Sequence, residues 1–94
     1  MNNGQTARIK VFYCSRCKWL ARAAWYAQEL LSTYAEDLEE VAIAPAKTAG
    51  EFRILVGDTC VLDRTVDGFL EAKILKRRVR DIIAPERALG HVDD

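Results

Sequence analysis

The run RIKVFYCSRCKWLARAAWYAQELLSTY, Arg8 to Tyr34, changes its hydrophobic period once and without a linker. Ile9, Val11 and Tyr13 alternate with Arg8, Lys10 and Phe12, the two-residue period of a strand. A few residues on, Leu20, Ala23, Ala24, Ala27, Leu30, Leu31 and Tyr34 take the i, i+3, i+4, i+7 spacing of a helix with one buried stripe. The pattern predicts a strand over 8–13 and a helix from about Ser15 to Tyr34. A long helix directly after a strand returns over the sheet, so the next apolar run, VAIAP at Val41 to Pro45, is expected to lie parallel to the first strand by a right-handed crossover. Its continuous apolar character suits a strand covered on both faces, and the acidic AEDLEE before it reads as a surface connection.

The remainder completes the sheet. Lys47 to Gly50 is a loop. Phe52, Ile54 and Val56 alternate with Arg53 and Leu55, and Thr59 to Arg64 makes a fourth strand. Gly57-Asp58 between them is a type II′ hairpin signal, because glycine takes the first central position. Leu70, Ile74, Leu75, Val79, Ile82 and Ile83 predict a last helix from about Asp67 to Ile83, stopped by Pro85. The order β-α-β-β-β-α describes an α/β (α+β), thioredoxin-like fold: a four-stranded mixed sheet with two main helices. At 94 residues there is room for one core and no second domain. The domain is expected over 8–85, between a flexible N-terminus at 1–7 and a flexible C-terminal tail at 86–94.

Fourteen basic and fourteen acidic residues cancel, so net charge points to no nucleic-acid or membrane partner. Nothing resembles a secretory leader, and no stretch approaches the roughly 18 apolar residues of a membrane span, so a cytoplasmic protein is expected. In that compartment thiols stay reduced unless they do chemistry, and three cysteines do not make a disulfide framework. The charge is uneven along the chain. Arg8, Lys10, Arg16, Lys18 and Arg22 precede the first acid, Glu29, and the cysteines lie in that basic block.

Cys14 and Cys17 are the candidate catalytic residues. A cysteine attacks as thiolate, and a helix N-terminus flanked by cations favours that form, so the Cys14 thiol is expected below the free value of about 8.5. Ser15, Arg16 and Lys18 are the supporting residues. Cys17, one turn on, falls toward the helix's buried stripe, and a three-residue spacing brings the two sulfurs within bonding reach. Cys14 is therefore expected to attack and Cys17 to resolve the mixed disulfide. The competing readings are two inert core cysteines and a zinc site; the latter needs four ligands, with only Cys60 and His91 left to supply the others.

Cys60, after the hairpin turn, is read as a small buried strand residue rather than a redox thiol. Trp25 and Tyr26 lie off the predicted stripe, and with Trp19 and Arg22 they form a candidate partner surface beside the cysteines; packing against the second helix is the alternative. KILKRRVR interleaves its cations with Ile74, Leu75 and Val79, which reads as the wet face of a helix rather than a nucleic-acid site.

These segments resemble the selenoprotein W/T/H, or Rdx, family in its bacterial selenocysteine-free form. The likeness rests on VFYCSRCKWLARAAWYAQELLSTYAEDLEEVAIAP, the hairpin GEFRILVGDTCVLDR and the closing DGFLEAKILKRRVRDIIAP, together about residues 8 to 85. It implies a thioredoxin-like fold and a thiol-based redox role without a bound cofactor. In selenium-containing relatives the second cysteine position is selenocysteine; here it is Cys17. Unlike thioredoxins, the chain has KTAGEF with Gly50, and no proline, ahead of its third strand. General protein disulfide reduction is thus less expected than a narrower protein partner, glutathione or a peroxide-sensing role.

Two functions follow as expectations. One is a small thiol-disulfide oxidoreductase cycling Cys14 and Cys17, with glutathione or a thioredoxin-type reductant as electron donor. The other is a redox-sensitive module that binds a protein partner through the aromatic face of the first helix. Either is expected to act as a monomer or a weak homodimer.

Overall fold

A computed structural model describes residues 7–90. The chain order is β1 (Ala7–Tyr13), α1 (Leu20–Thr33), β2 (Leu38–Pro45), β3 (Phe52–Val56), β4 (Thr59–Asp63), a single helical turn α2 (Arg64–Asp67), and α3 (Ala72–Ile83). The sheet runs β2-β1-β3-β4, with β1 parallel to β2 and antiparallel to β3, and β3 antiparallel to β4. This is the expected thioredoxin-like arrangement, a mixed four-stranded sheet carrying two main helices.

Strand alternation decides where the core lies. Ile9 and Val11 of β1 and Phe52, Ile54 and Val56 of β3 are buried together with Ala23, Tyr26 and Leu30 of α1 and Leu75 and Val79 of α3. Their neighbours Arg8, Lys10, Phe12, Arg53 and Leu55 point to the other side of the sheet. There the Arg53 guanidinium lies 5.2 Å from the centre of the Phe12 ring and the Lys10 ammonium 5.7 Å from it, so cations cover what apolar surface that face has.

Two buried tyrosines tie the helices together. Tyr26 of α1 donates to the Leu70 carbonyl at 2.6 Å, and Tyr34, just after α1, donates to the Lys76 carbonyl of α3 at 2.6 Å. Burial raises the Tyr26 hydroxyl's pKa and pushes that of Tyr34 up to about 12. Lys76 of α3, itself buried, pairs with Glu29 of α1 at 2.9 Å. Two further cations of KILKRRVR are engaged within the chain: Arg78 with Asp67 and the Val61 carbonyl, Arg80 with Asp81.

Several sequence expectations need correction. Helix α1 begins at Leu20, not Ser15, because residues 15–18 form a turn that ends with Lys18 at φ +60°, a left-handed conformation that cannot continue into a helix. Its buried stripe is Ala23, Tyr26, Ala27 and Leu30; Leu20 and Leu31 are exposed. Strand β2 starts at Leu38 inside AEDLEE, and as an edge strand it is not covered on both faces. The last helix begins at Ala72 rather than Asp67, and the turn α2 before it is not expected from the sequence; Asp63 caps α2 by accepting from the Thr65 N–H, and Gly68 ends it at φ +68°. Ile82 is exposed. The hairpin is as expected: Gly57 takes φ +58° and Asp58 has no positive φ, the type II′ combination. Beyond α3, Arg87 grips Asp37 through two hydrogen bonds of 2.6 and 2.9 Å, and Leu89 packs against the core. His91 lies outside the described residues.

Replacing Tyr34 with Phe should lower unfolding free energy by about 1 kcal/mol, read by denaturant titration, since the Lys76 carbonyl loses the Tyr34 hydroxyl as a donor. A second outcome concerns pH. Asp37 is held below the usual carboxylate range chiefly by the Arg87 hydrogen bonds, and Asp67 chiefly by the Asp63 N–H, with Arg78 adding to it. The folded chain binds these two protons more weakly than the unfolded one. Their stabilisation is therefore complete above the ordinary value of 3.8 and is lost as pH falls through the depressed values. Stability should be flat near neutrality and drop in acid, and Asp67→Asn should flatten that drop.

Candidate redox site

Strand β1 ends at Tyr13, and the next residue, Cys14, enters the top of the core with 2% of its surface exposed. The chain then turns through Ser15, Arg16, Cys17 and Lys18, where the Lys18 N–H donates to the Ser15 carbonyl at 3.2 Å. This places the two cysteines in a disulfide, with Cα atoms 5.3 Å apart, inside the normal range for such a bond. The Cys17 N–H donates to the Cys14 sulfur at 3.2 Å. Charge that develops on that sulfur when the bond opens is thus met by a fixed donor of the same turn.

Two expectations are reversed by this geometry. The site lies before α1 rather than at its first residue, so the donor facing Cys14 is one local N–H and not the helix end. The burial order is also opposite: Cys14 is buried and Cys17 is the partly exposed sulfur-bearing residue. The cause is again Lys18. Its left-handed backbone breaks the path into α1, and the Leu20, Ala24 and Leu31 side of that helix, on which the expectation placed Cys17, is itself exposed.

The surroundings are cationic and polar. Cys14, Ser15 and Arg16 face the loop Ala46, Lys47, Thr48 and Ala49 across a recess of about 240 Å³ without an acidic lining residue. Arg16, Lys18 and Lys47 are exposed. That loop ends at Gly50, whose φ of +80° admits glycine more readily than any other residue. The Gly50 carbonyl accepts from the Arg64 Nε at 3.0 Å, and the Arg64 guanidinium rests 5.1 Å from the centre of Trp19. Sequence reasoning missed Lys47, Thr48 and Arg64. Nothing local marks them, since they arrive from the β2-β3 connection and from α2.

The aromatic surface is smaller than expected. Trp19 packs edge-on against Phe52 and Phe69, at ring distances of 6.2 and 5.1 Å, and Arg22 lies 4.2 Å from the centre of Phe69. Tyr26 is fully buried, which corrects its place on a partner surface, whereas Trp25 is 43% exposed. Cys60 is a strand residue of β4 but an exposed one; it lies opposite Leu55 and its thiol donates to the Leu62 carbonyl at 3.3 Å. The sheet does not bring it to Cys14 and Cys17, because Leu55 and its neighbours Lys10 and Phe12 face away from the core.

Comparison with known proteins agrees with this geometry. The Rdx family profile matches residues 8–81. A crystal structure of a protein from Bordetella parapertussis is 56% identical, covers 82% of this chain and 98% of its own, and superimposes with a TM-score of 0.78. A selenoprotein W-related protein from Vibrio cholerae is 45% identical, with 84% of this chain and 99% of its own covered and a TM-score of 0.81. No curated protein matches the chain.

With the protein reduced, a brief iodoacetamide pulse followed by peptide mass mapping should label Cys17 at least about ten times faster than Cys14, in line with access to the sulfur. Equal labelling would show that the turn opens once the disulfide is gone.

Proposed function

The chain belongs to the Rdx family, and from that premise we propose that it is a small cytoplasmic thiol-disulfide oxidoreductase in which Cys17 attacks and Cys14 resolves. The observation that carries the reading is the asymmetry of the pair: an accessible Cys17 and a buried Cys14 whose sulfur accepts the Cys17 N–H. In the reducing direction the Cys17 thiolate attacks one sulfur of a substrate disulfide and expels the other as a thiolate, which takes up a proton. Cys14, as thiolate, then attacks the Cys17 sulfur of the mixed disulfide, releases the second substrate thiol and leaves the Cys14–Cys17 disulfide. Two electrons have passed from the pair to the substrate. For return, a donor thiolate attacks the sulfur of the partly exposed Cys17, and Cys14 leaves as a thiolate that its N–H donor stabilises; a second donor thiolate then attacks the first donor's sulfur, releases Cys17 and leaves the donor as its disulfide.

The reading differs from the sequence expectation in the order of the cysteines and agrees with the place of selenocysteine in the selenium-containing relatives. The recess supports a choice of substrate. Arg16 and Lys47, which line a polar hollow, favour a disulfide that carries carboxylates, such as oxidised glutathione, which makes a glutathione-type donor the first to try before a thioredoxin-type one.

In a Cys60→Ser background, so that the exposed third thiol cannot take up the label, Cys14→Ser incubated with oxidised glutathione should accumulate one glutathione on Cys17, seen as a mass increase in intact-protein spectra, whereas Cys17→Ser should acquire little. If Cys17→Ser traps the adduct and Cys14→Ser does not, the roles are the other way round. Independently, Arg16→Ala and Lys47→Ala should slow exchange with oxidised glutathione about three- to ten-fold at low salt and leave exchange with an uncharged disulfide unchanged.

A further inference from the structure

Strand β2 has a neighbour on one side only. The Ala46 N–H donates to the Tyr13 carbonyl, and in a parallel ladder groups that point the same way recur every second residue. The main-chain groups of Ala42 and Ala44 therefore face β1, while those of Val41 and Ile43 face outward with no strand to receive them. Pro45 belongs to the same outward set, the position where a missing N–H costs no ladder bond. The usual protections of such an edge are missing in its middle: Val41, Ala42, Ile43 and Ala44 carry no charge, and Ile43 is 37% exposed.

Helix α1 extends this surface. It packs on β1 and β2, and α3 packs on β4. One flank of α1 is settled by Arg22 on Phe69 and Glu29 with Lys76. Leu20, Ala24 and Leu31, at four- and seven-residue spacing, lie on the opposite flank, above the free edge of β2. Leu20 is 52% and Leu31 42% exposed. Three of the residues that the sequence pattern marks as buried, Leu20, Ala24 and Leu31, thus form a separate apolar flank that the described residues leave exposed.

We infer that this edge pairs with a second copy of the same chain, β2 against β2 and antiparallel, giving a continuous eight-stranded sheet with the two α1 flanks meeting across the two-fold axis. Charge along the edge selects this occupant and this direction. Acids stand at its start, in residues 36–40, and Lys47 just past its end. A parallel copy would set acids against acids. In the antiparallel register with Ala42 on the axis, Val41 of each copy lies opposite Ile43 of the other, outward groups face outward groups, and each Lys47 meets the other copy's acidic segment. The contact is isologous and closes at two, which leaves only the β4 edges free.

Sedimentation equilibrium on the full chain tests this. The wild-type protein should dimerise reversibly below about 1 mM. Ile43→Pro removes one outward donor and no bond to β1, and Leu31→Glu alters a different element; each should weaken dimerisation at least about tenfold while circular dichroism stays native. Lys47→Glu should weaken it at low salt and less at high salt. A monomer throughout that range, or a dimer that Ile43→Pro and Leu31→Glu leave intact, overturns the inference.

Discussion

Strand β1 is the element on which the molecule depends, because it is paired on both sides, parallel to β2 and antiparallel to β3, and runs directly into the cysteines. Its inward residues Ile9 and Val11 lie at the centre of the core, and both main-chain edges are satisfied by neighbours. A strand held this way delivers its last residue to a fixed place. That residue's successor is Cys14, and its burial follows from where β1 ends.

The next four residues place the second cysteine against that fixed point. A helix continuous from Ser15 would have put the two cysteines on a regular first turn. The left-handed Lys18 prevents this at a local cost of about 1–2 kcal/mol of backbone strain. The same turn aims the Cys17 N–H at the Cys14 sulfur. It leaves Cys14 buried and Cys17 partly exposed.

The packing of the helices separates two surfaces of α1. Toward α3 the polar and aromatic residues are absorbed: Tyr26 by a carbonyl, Glu29 by Lys76, Arg22 by Phe69. This is why an aromatic docking face beside the cysteines reduces to Trp25. Toward β2 nothing of the chain's own is left to cover Leu20 and Leu31, since both main helices lie on one face and α3 sits at the far strand.

The order of strands and helices, the parallel crossover, the II′ turn and the cysteine pair were legible in the sequence because each rests on local pattern: period two, period 3.6, a Gly-Asp dipeptide, a three-residue spacing. A period, however, marks a stripe without saying what covers it, so Leu20, Leu31 and Ile82 read as core and are exposed. Likewise a short apolar run does not show that β2 is an edge, nor an isolated cysteine that Cys60 faces solvent. The sequence by itself determined which two cysteines pair, since sulfur at this spacing needs no distant partner to form a disulfide. Only the tertiary structure decided which of the two is buried and which loop faces them, because burial and the approach of Lys47 depend on segments about thirty residues away in the chain.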